Sequence, residues 1–265
     1  MLIRNGKAFT RGLLLLISFS VVLVLFFTPV FPAQEEGGKN TNGLVFADHL
    51  FNTLSKGSSL FLDPTMQARG SINRSTRDRT EGKSVDLTVP FNTVTGTFMD
   101  TTGVSRELNI LETALILLKA HNFEATASGN SLIIKGELYP LLQSVLADSF
   151  SLYHNNPGEI SARRGGLDGR AVMKTWWHLL TAMIKPMQRA DQVDEASAVA
   201  TVLSKAIEPS YNFFGITPMR VMDNIPLVAG FLIFYVLYTM WYGFAIFELF
   251  EGIGLSMKKG VKKEH

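Results

Sequence analysis

The sequence predicts an α+β domain flanked by two transmembrane helices, the domain being a β-α-β-β-α layer followed by a C-terminal helix pair. Three observations predict it. Apolar residues are concentrated in two uncharged runs near the ends of the 265-residue chain. Between them, Val85, Leu87, Val89 and Phe91 alternate with Asp86, Thr88 and Pro90, which is the period of a half-buried strand. Beyond Asp168, apolar residues recur every three or four positions, which is the period of an amphipathic helix.

The first run, Leu13 to Phe31, follows Arg4, Lys7 and Arg11. A basic start and a Leu-rich centre suit both a cleaved signal peptide and an uncleaved signal-anchor. Cleavage before Gln34 would put Ala33 at −1 but Phe31 at −3, where a small residue is wanted. The run is also long for a signal core, so a membrane anchor over 13–33 is the expectation. The second run, Ile225 to Phe247, carries no charge and spans roughly 34 Å at about 1.5 Å per residue, enough for a hydrocarbon core of about 30 Å. Pro226 suits a first helical turn. Lys258, Lys259, Lys262 and Lys263 follow it.

Basic residues at the outer flank of each run place both tails on the cytoplasmic side. The expected layout is a cytoplasmic N-terminus over 1–12, spans over 13–33 and 225–250, an external domain over 34–224 and a basic cytoplasmic tail over 251–265. Segment 34–224 holds 18 Lys/Arg and 20 Asp/Glu, a net of −2. The basic character therefore belongs to the tails and gives no support for a nucleic-acid partner. Cysteine is absent, which excludes disulfide staples, thiol catalysis and Cys-based metal sites. The expected setting is a bacterial inner membrane, with the lipid bilayer as one partner and the main domain in the periplasm.

Within 34–224, the polar stretch Gln34 to Asn42 reads as a linker, and Leu44 to Leu54 as a helix. Leu60 to Leu62 suggests a short strand, and the locally basic Arg69 to Lys83 a solvated loop. Pro90 argues that the alternating strand lies at a sheet edge or ends nearby. Thr93 to Met99 continues that strand or pairs with it. Ser105 is the expected N-cap of a helix faced by Leu108, Leu111, Leu115 and Leu118. Phe123, Ala125 and Ala127 lead through a two-residue Gly129-Asn130 turn to Leu132, Ile133 and Ile134, a hairpin. A helix from Pro140 to Tyr153 follows, with Leu142, Val145, Leu146 and Phe150 inward.

Asp168 can cap a helix that Pro186 breaks or kinks near its end, with Val172, Trp176, Leu179, Leu180 and Met183 inward. A second helix from Gln192 to Ile207 completes the pair over 168–207, with Val193, Ala196, Val199, Ala200 and Leu203 inward. Tyr211 to Phe214 then suits the return to the membrane interface.

No nucleotide, metal or nucleophile motif stands out. His49, His121, His154 and His178 are far apart and none falls in a ligand spacing. Arg163 to Arg170 reads as an exposed turn before a capped helix, with anion binding as the functional alternative. The sequence nominates no catalytic, cofactor-binding or metal-binding residue and implies no cofactor. It nominates partner contacts instead. Trp176 and Trp177 point about 100° apart, so at most one is central in the helix pair. Tyr235, Tyr238 and Trp241, with Tyr242, share a face inside the second run and could pack on the first run, a partner or lipid. Glu248 and Glu251 lie one turn apart at its inner end, either as interfacial carboxylates or as a docking or relay pair.

The leading expectation is a non-enzymatic envelope subunit that acts on a protein partner through its external domain. A membrane-tethered hydrolase with an unfamiliar site and a sensor or solute-binding domain are the alternatives. The sequence leaves homo-oligomerisation open.

Overall fold

The computed structural model describes residues 3–32, 38–58, 72–91 and 95–255. Ten α-helices and five strands occur among them in a mixed α+β arrangement, mostly helical with small sheets. The chain runs α1 (Gly6–Phe27), α2 (Gly43–Ser58), α3 (Ile72–Thr80), β1 (Ser84–Pro90), β2 (Thr95–Met99) and β3 (Ser105–Asn109). It continues through α4 (Ile110–Lys119), β4 (Glu124–Ser128), β5 (Ser131–Glu137), α5 (Leu138–Tyr153) and α6 (Pro157–Arg163). The last elements are α7 (Gly169–Arg189), α8 (Val193–Val202), a π-helical segment (Leu203–Ile207), α9 (Glu208–Asn212), a 3-10 turn (Val221–Asn224) and α10 (Ile225–Gly252).

Two compact units result, one of Met1–Ser59 with Thr217–His265, the other of Leu60–Ile216. The first unit takes in α2 and the approach to the second apolar run together with the apolar helices. The physical reason is aromatic packing. Phe46 on α2 lies 5.5 Å from Phe31 and 6.1 Å from Phe231, ring centroid to centroid.

In the first unit, α1 and the stretch Val221–Gly252 are long and apolar enough to cross a membrane. The first helix begins earlier than its apolar run: Asn5 caps it by accepting from the Ala8 amide, so Lys7 and Arg11 lie in its opening turns. The last helix runs past Phe247 to Gly252 and includes Glu248 and Glu251, with Pro226 in its first turn. The two helices are antiparallel. At one end the Arg4 and Asn5 amides both donate to the Gly252 carbonyl at 2.9 Å. Gly12 permits the approach there, since a Cβ would come within 2.7 Å of the Leu249 amide nitrogen and 3.0 Å of the Ala245 carbonyl oxygen. Toward the other end Phe26 stacks on Phe234 at 6.0 Å.

In the second unit, β5 is central in a three-stranded antiparallel sheet of order β1-β5-β4. Alternate residues of β1 are buried, and Pro90 ends this edge strand where its missing N–H breaks no ladder bond. The hairpin forms about Gly129-Asn130, pairing Ser128 with Ser131. Helices α4, α5 and α7 complete one core with the sheet; it includes Leu118, Leu132, Ile134, Leu142, Val145, Trp176, Leu179 and Met183.

Several expectations are corrected. Ser105 does not cap a helix: it opens β3, which pairs with β2 in a separate two-stranded sheet. Asn109 is the cap, accepting from the Glu112 amide at 3.0 Å while its own side-chain amide donates to the Glu112 carboxylate. The stretch from Ile72 to Thr80 is helical rather than a loop, held by Arg77–Glu81 and Arg74–Asp78 pairs one turn apart and buried on Asn73, Thr76 and Thr80. Pro186 does not end α7, which continues to Arg189. Val193 is exposed. Tyr211 and Phe214 pack against the core of the second unit. The expected strand at Leu60 to Leu62 and the lysines from Lys258 to Lys263 lie outside the described residues.

Candidate functional site

Asp168 starts the element on which the site is built. Its carboxylate accepts from the Arg170 and Ala171 amides at 2.8 and 3.3 Å, satisfying two of the free N–H groups at the start of α7. The helix then buries one face and presents another.

Trp176 belongs to the buried face. It is fully enclosed, and its indole N–H donates to Asp148 at 3.0 Å. The carboxylate of Asp148, also enclosed, accepts from Arg164 at 2.8 Å and from Arg163 at 3.3 Å. Arg164 in turn donates to the Ser144 hydroxyl and reaches His121 Nε2 at 3.2 Å. The other ring nitrogen of His121 bonds the Leu117 carbonyl at 2.7 Å, so it holds the proton and Nε2 accepts from Arg164. Burial, followed by the charge of Arg164, lowers the His121 pKa and keeps this neutral form. The sequence presents Arg163 and Arg164 as members of an exposed turn; the structure turns them back onto a buried carboxylate. Each polar side chain of the network has a hydrogen-bond partner among the described residues.

Trp177 belongs to the other face and is 39% exposed. It lines a cleft of about 410 Å³ with Met173, Lys174 and His178 on one wall and Ile207, Glu208, Tyr211 and Asn212 on the other. Each wall uses the same offsets, i, i+1, i+4 and i+5, so two helical surfaces face each other across it. The second wall takes its position from the π-helical segment. There the Glu208 amide bonds the Leu203 carbonyl, five residues back. In a regular α-helix the ring of Pro209 would strike the carbonyl four residues earlier; the wider π turn relieves that contact.

Polar groups surround the aromatic floor. The Lys174 ammonium donates to the Thr97 carbonyl and forms no ion pair among the described residues. His178 has its pKa lowered by burial and then by the charge of Lys174. The Trp177 N–H points at Glu208, a long contact of 3.4 Å. One turn earlier, the Arg170 guanidinium covers Tyr211 at 4.7 Å and Phe214 at 5.4 Å, and its Nε is buried without a hydrogen bond among the described residues.

The remaining nominated residues lie in the first unit. Tyr238 stacks on Phe19 of α1 at 4.3 Å and Tyr242 lies 5.1 Å from the same ring, so both pack on the first apolar helix. Tyr235 is 65% exposed. The Trp241 N–H is buried with no hydrogen-bond partner among the described residues. Glu248 lies 3.2 Å from Arg11 on α1, while Glu251 is exposed.

The structure thus brings together one nominated residue, Trp177, with partners that no sequence motif joins. His178 and Lys174 are its helical neighbours, but Glu208 and Tyr211 lie some thirty positions on and meet it only through tertiary packing. No group of three His, Asp or Glu that could hold a metal occurs among the described residues. No family model, curated protein or solved structure matches the chain.

Proposed function

We propose that this chain is a membrane-anchored, non-enzymatic accessory subunit that acts by recognition through its second unit, with the Trp177 cleft as the contact site. The anchor is the α1–α10 hairpin. Its antiparallel pairing and basic flanks support a two-span topology with both tails on the cytoplasmic side of a bacterial inner membrane and the second unit in the periplasm. The same pairing supports an uncleaved first span, because removal of α1 would strip α10 of its partner and leave Gly12's close contact unmade.

One observation carries the recognition reading: an exposed tryptophan lines a concave, largely apolar site that also holds Lys174 and Glu208. Exposed Trp in such a setting is a favoured binding anchor. A hydrolase needs a base in reach of a nucleophile, and His121, the best connected histidine, has both ring nitrogens engaged. Solute binding is a second reading, favoured by a cleft whose volume falls within the roughly 300–1,000 Å³ of small-molecule sites.

Purification of the full chain in mild detergent tests the proposal. A stoichiometric partner is expected, and Trp177→Ala should release it. A clean monomer, or a partner held equally by the variant, overturns the reading.

A further inference from the structure

Resting on the reading of the Trp177 cleft as a recognition site, we infer that it takes a flat apolar ring system bearing one carboxylate. The rings would lie on Trp177 and Tyr211 and the carboxylate would meet Lys174. Size and surface set the ring system. About 410 Å³ is room for one or two fused rings, and the lining brings the rings of Trp177 and Tyr211 together with the apolar side chains of Met173 and Ile207, one face of Tyr211 being taken by Arg170.

Charge sets the acid. Lys174 is a cation that forms no ion pair among the described residues. An ammonium has three N–H donors, and the Thr97 carbonyl takes one, so two remain for a ligand. Arg170, one turn away, adds a second positive charge and a buried Nε with no hydrogen bond among the described residues. Lys174 stands on the α7 wall, and Arg170 lies outside the lining, behind Tyr211. Glu208 stands on the opposite wall, and its contact with the Trp177 N–H is too long to saturate the carboxylate. A second acid on the ligand would therefore face a like charge, whereas an N–H or O–H donor at that edge would be accepted. The walls thus select one carboxylate at one edge and no anion at the other.

Two sources offer this chemistry: a small aromatic acid, or the C-terminal aromatic residue of a partner chain with its free carboxylate. Saturation-transfer NMR on the full chain in phosphatidylcholine nanodiscs separates them, with empty nanodiscs as the blank. The probes are 2-naphthoate, 2-naphthamide, and the peptide acetyl-Gly-Gly-Gly-Phe with a free or an amidated C-terminus. Saturable binding of naphthoate is expected, about tenfold tighter than that of the amide. Lys174→Gln should bring naphthoate down to the amide's affinity, and Trp177→Ala should abolish both while leaving the melting temperature of the second unit in place. Should Trp177→Ala melt early, Trp177→Phe is the check: it keeps a ring and should retain weakened, still acid-selective binding.

Tighter binding of the free-carboxylate peptide than of its amide, also lost in Lys174→Gln, assigns the source to a chain terminus. Selective binding of naphthoate alone assigns it to a small molecule. Equal affinity for acid and amide overturns the inference, as does binding that survives Trp177→Ala or no binding above the blank. If the inference falls while the Trp177-dependent partner of the detergent purification persists, the recognition reading stands without it; loss of both removes the site.

Discussion

At the scale of single residues, the chain uses its charges in two ways. Asp148 is spent on the core. Removing one member of a buried, hydrogen-bonded ion pair leaves the other uncompensated, at a cost of about 3–5 kcal/mol. Asp148→Ala should therefore lower the stability of the second unit by about that amount in a denaturant titration, because Arg164 and the Trp176 N–H both lose their acceptor. Lys174 and His178 show the other use. The lysine's charge helps hold the histidine's pKa below the ordinary value, so Lys174→Gln should raise it, though burial will keep it below that of a free imidazole. An NMR titration of the His178 ring protons reads the shift directly. Lys56 on α2 gives a third case. Burial takes its pKa from 10.5 to about 8. The folded state then gives up this proton before the unfolded state does, so stability should rise with pH between about 8 and 10.5. Below pH 8 the cost of the buried charge is present in full. The matching measurement is a set of melts across that range, in which Lys56→Met should flatten the slope.

At the scale of elements, the closest contact between the apolar helices is made by glycine. Gly12→Leu has no room against Leu249 and Ala245 and should part α1 from α10 at that end. The chain has no cysteine, so an introduced pair is the only thiol pair present. Cysteines replacing Phe19 and Tyr238, whose rings stack, should be bridged by a short bismaleimide in the otherwise native chain, and the yield should fall in the Gly12→Leu background. The elements also divide by how far the sequence reveals them. The edge strand β1, the β4–β5 hairpin and the inward stripe of α7 were legible because each buries apolar side chains at the period of its backbone. Helix α3 was not, since the residues it buries are Asn73, Thr76 and Thr80, which a search for apolar periodicity passes over. Strand β3 was not, since Leu108 is its one buried residue. Of the cleft, the sequence offered Trp177 and its exposure on one side of a tryptophan pair. The opposing wall depends on how two helices pack, and local patterns carry no record of that.

At the scale of the whole molecule, the prediction concerns sidedness. The Gly252 carbonyl takes both the Arg4 and the Asn5 amide, so the beginning of α1 and the end of α10 lie together. If the pair crosses a membrane, both belong to one side. Single cysteines at Lys7 and Asn212 test this with an impermeant thiol reagent on intact spheroplasts. The proposed topology expects labelling at position 212 alone, with position 7 reacting after permeabilisation. Labelling of both from outside, or of neither, would require a different topology.

The π-helical segment carries a consequence of another kind. A π turn holds one residue more than an α turn, and each residue turns a helix by about 100°. Deleting Ser204, an exposed position, would restore α-helical phase from Val202 onward at the expense of the clash at Pro209. The second wall would then rotate as a body, carrying Glu208 and Tyr211 away from Trp177. That single surplus residue works as a phase setting: it decides whether the two helices show each other a binding surface at all.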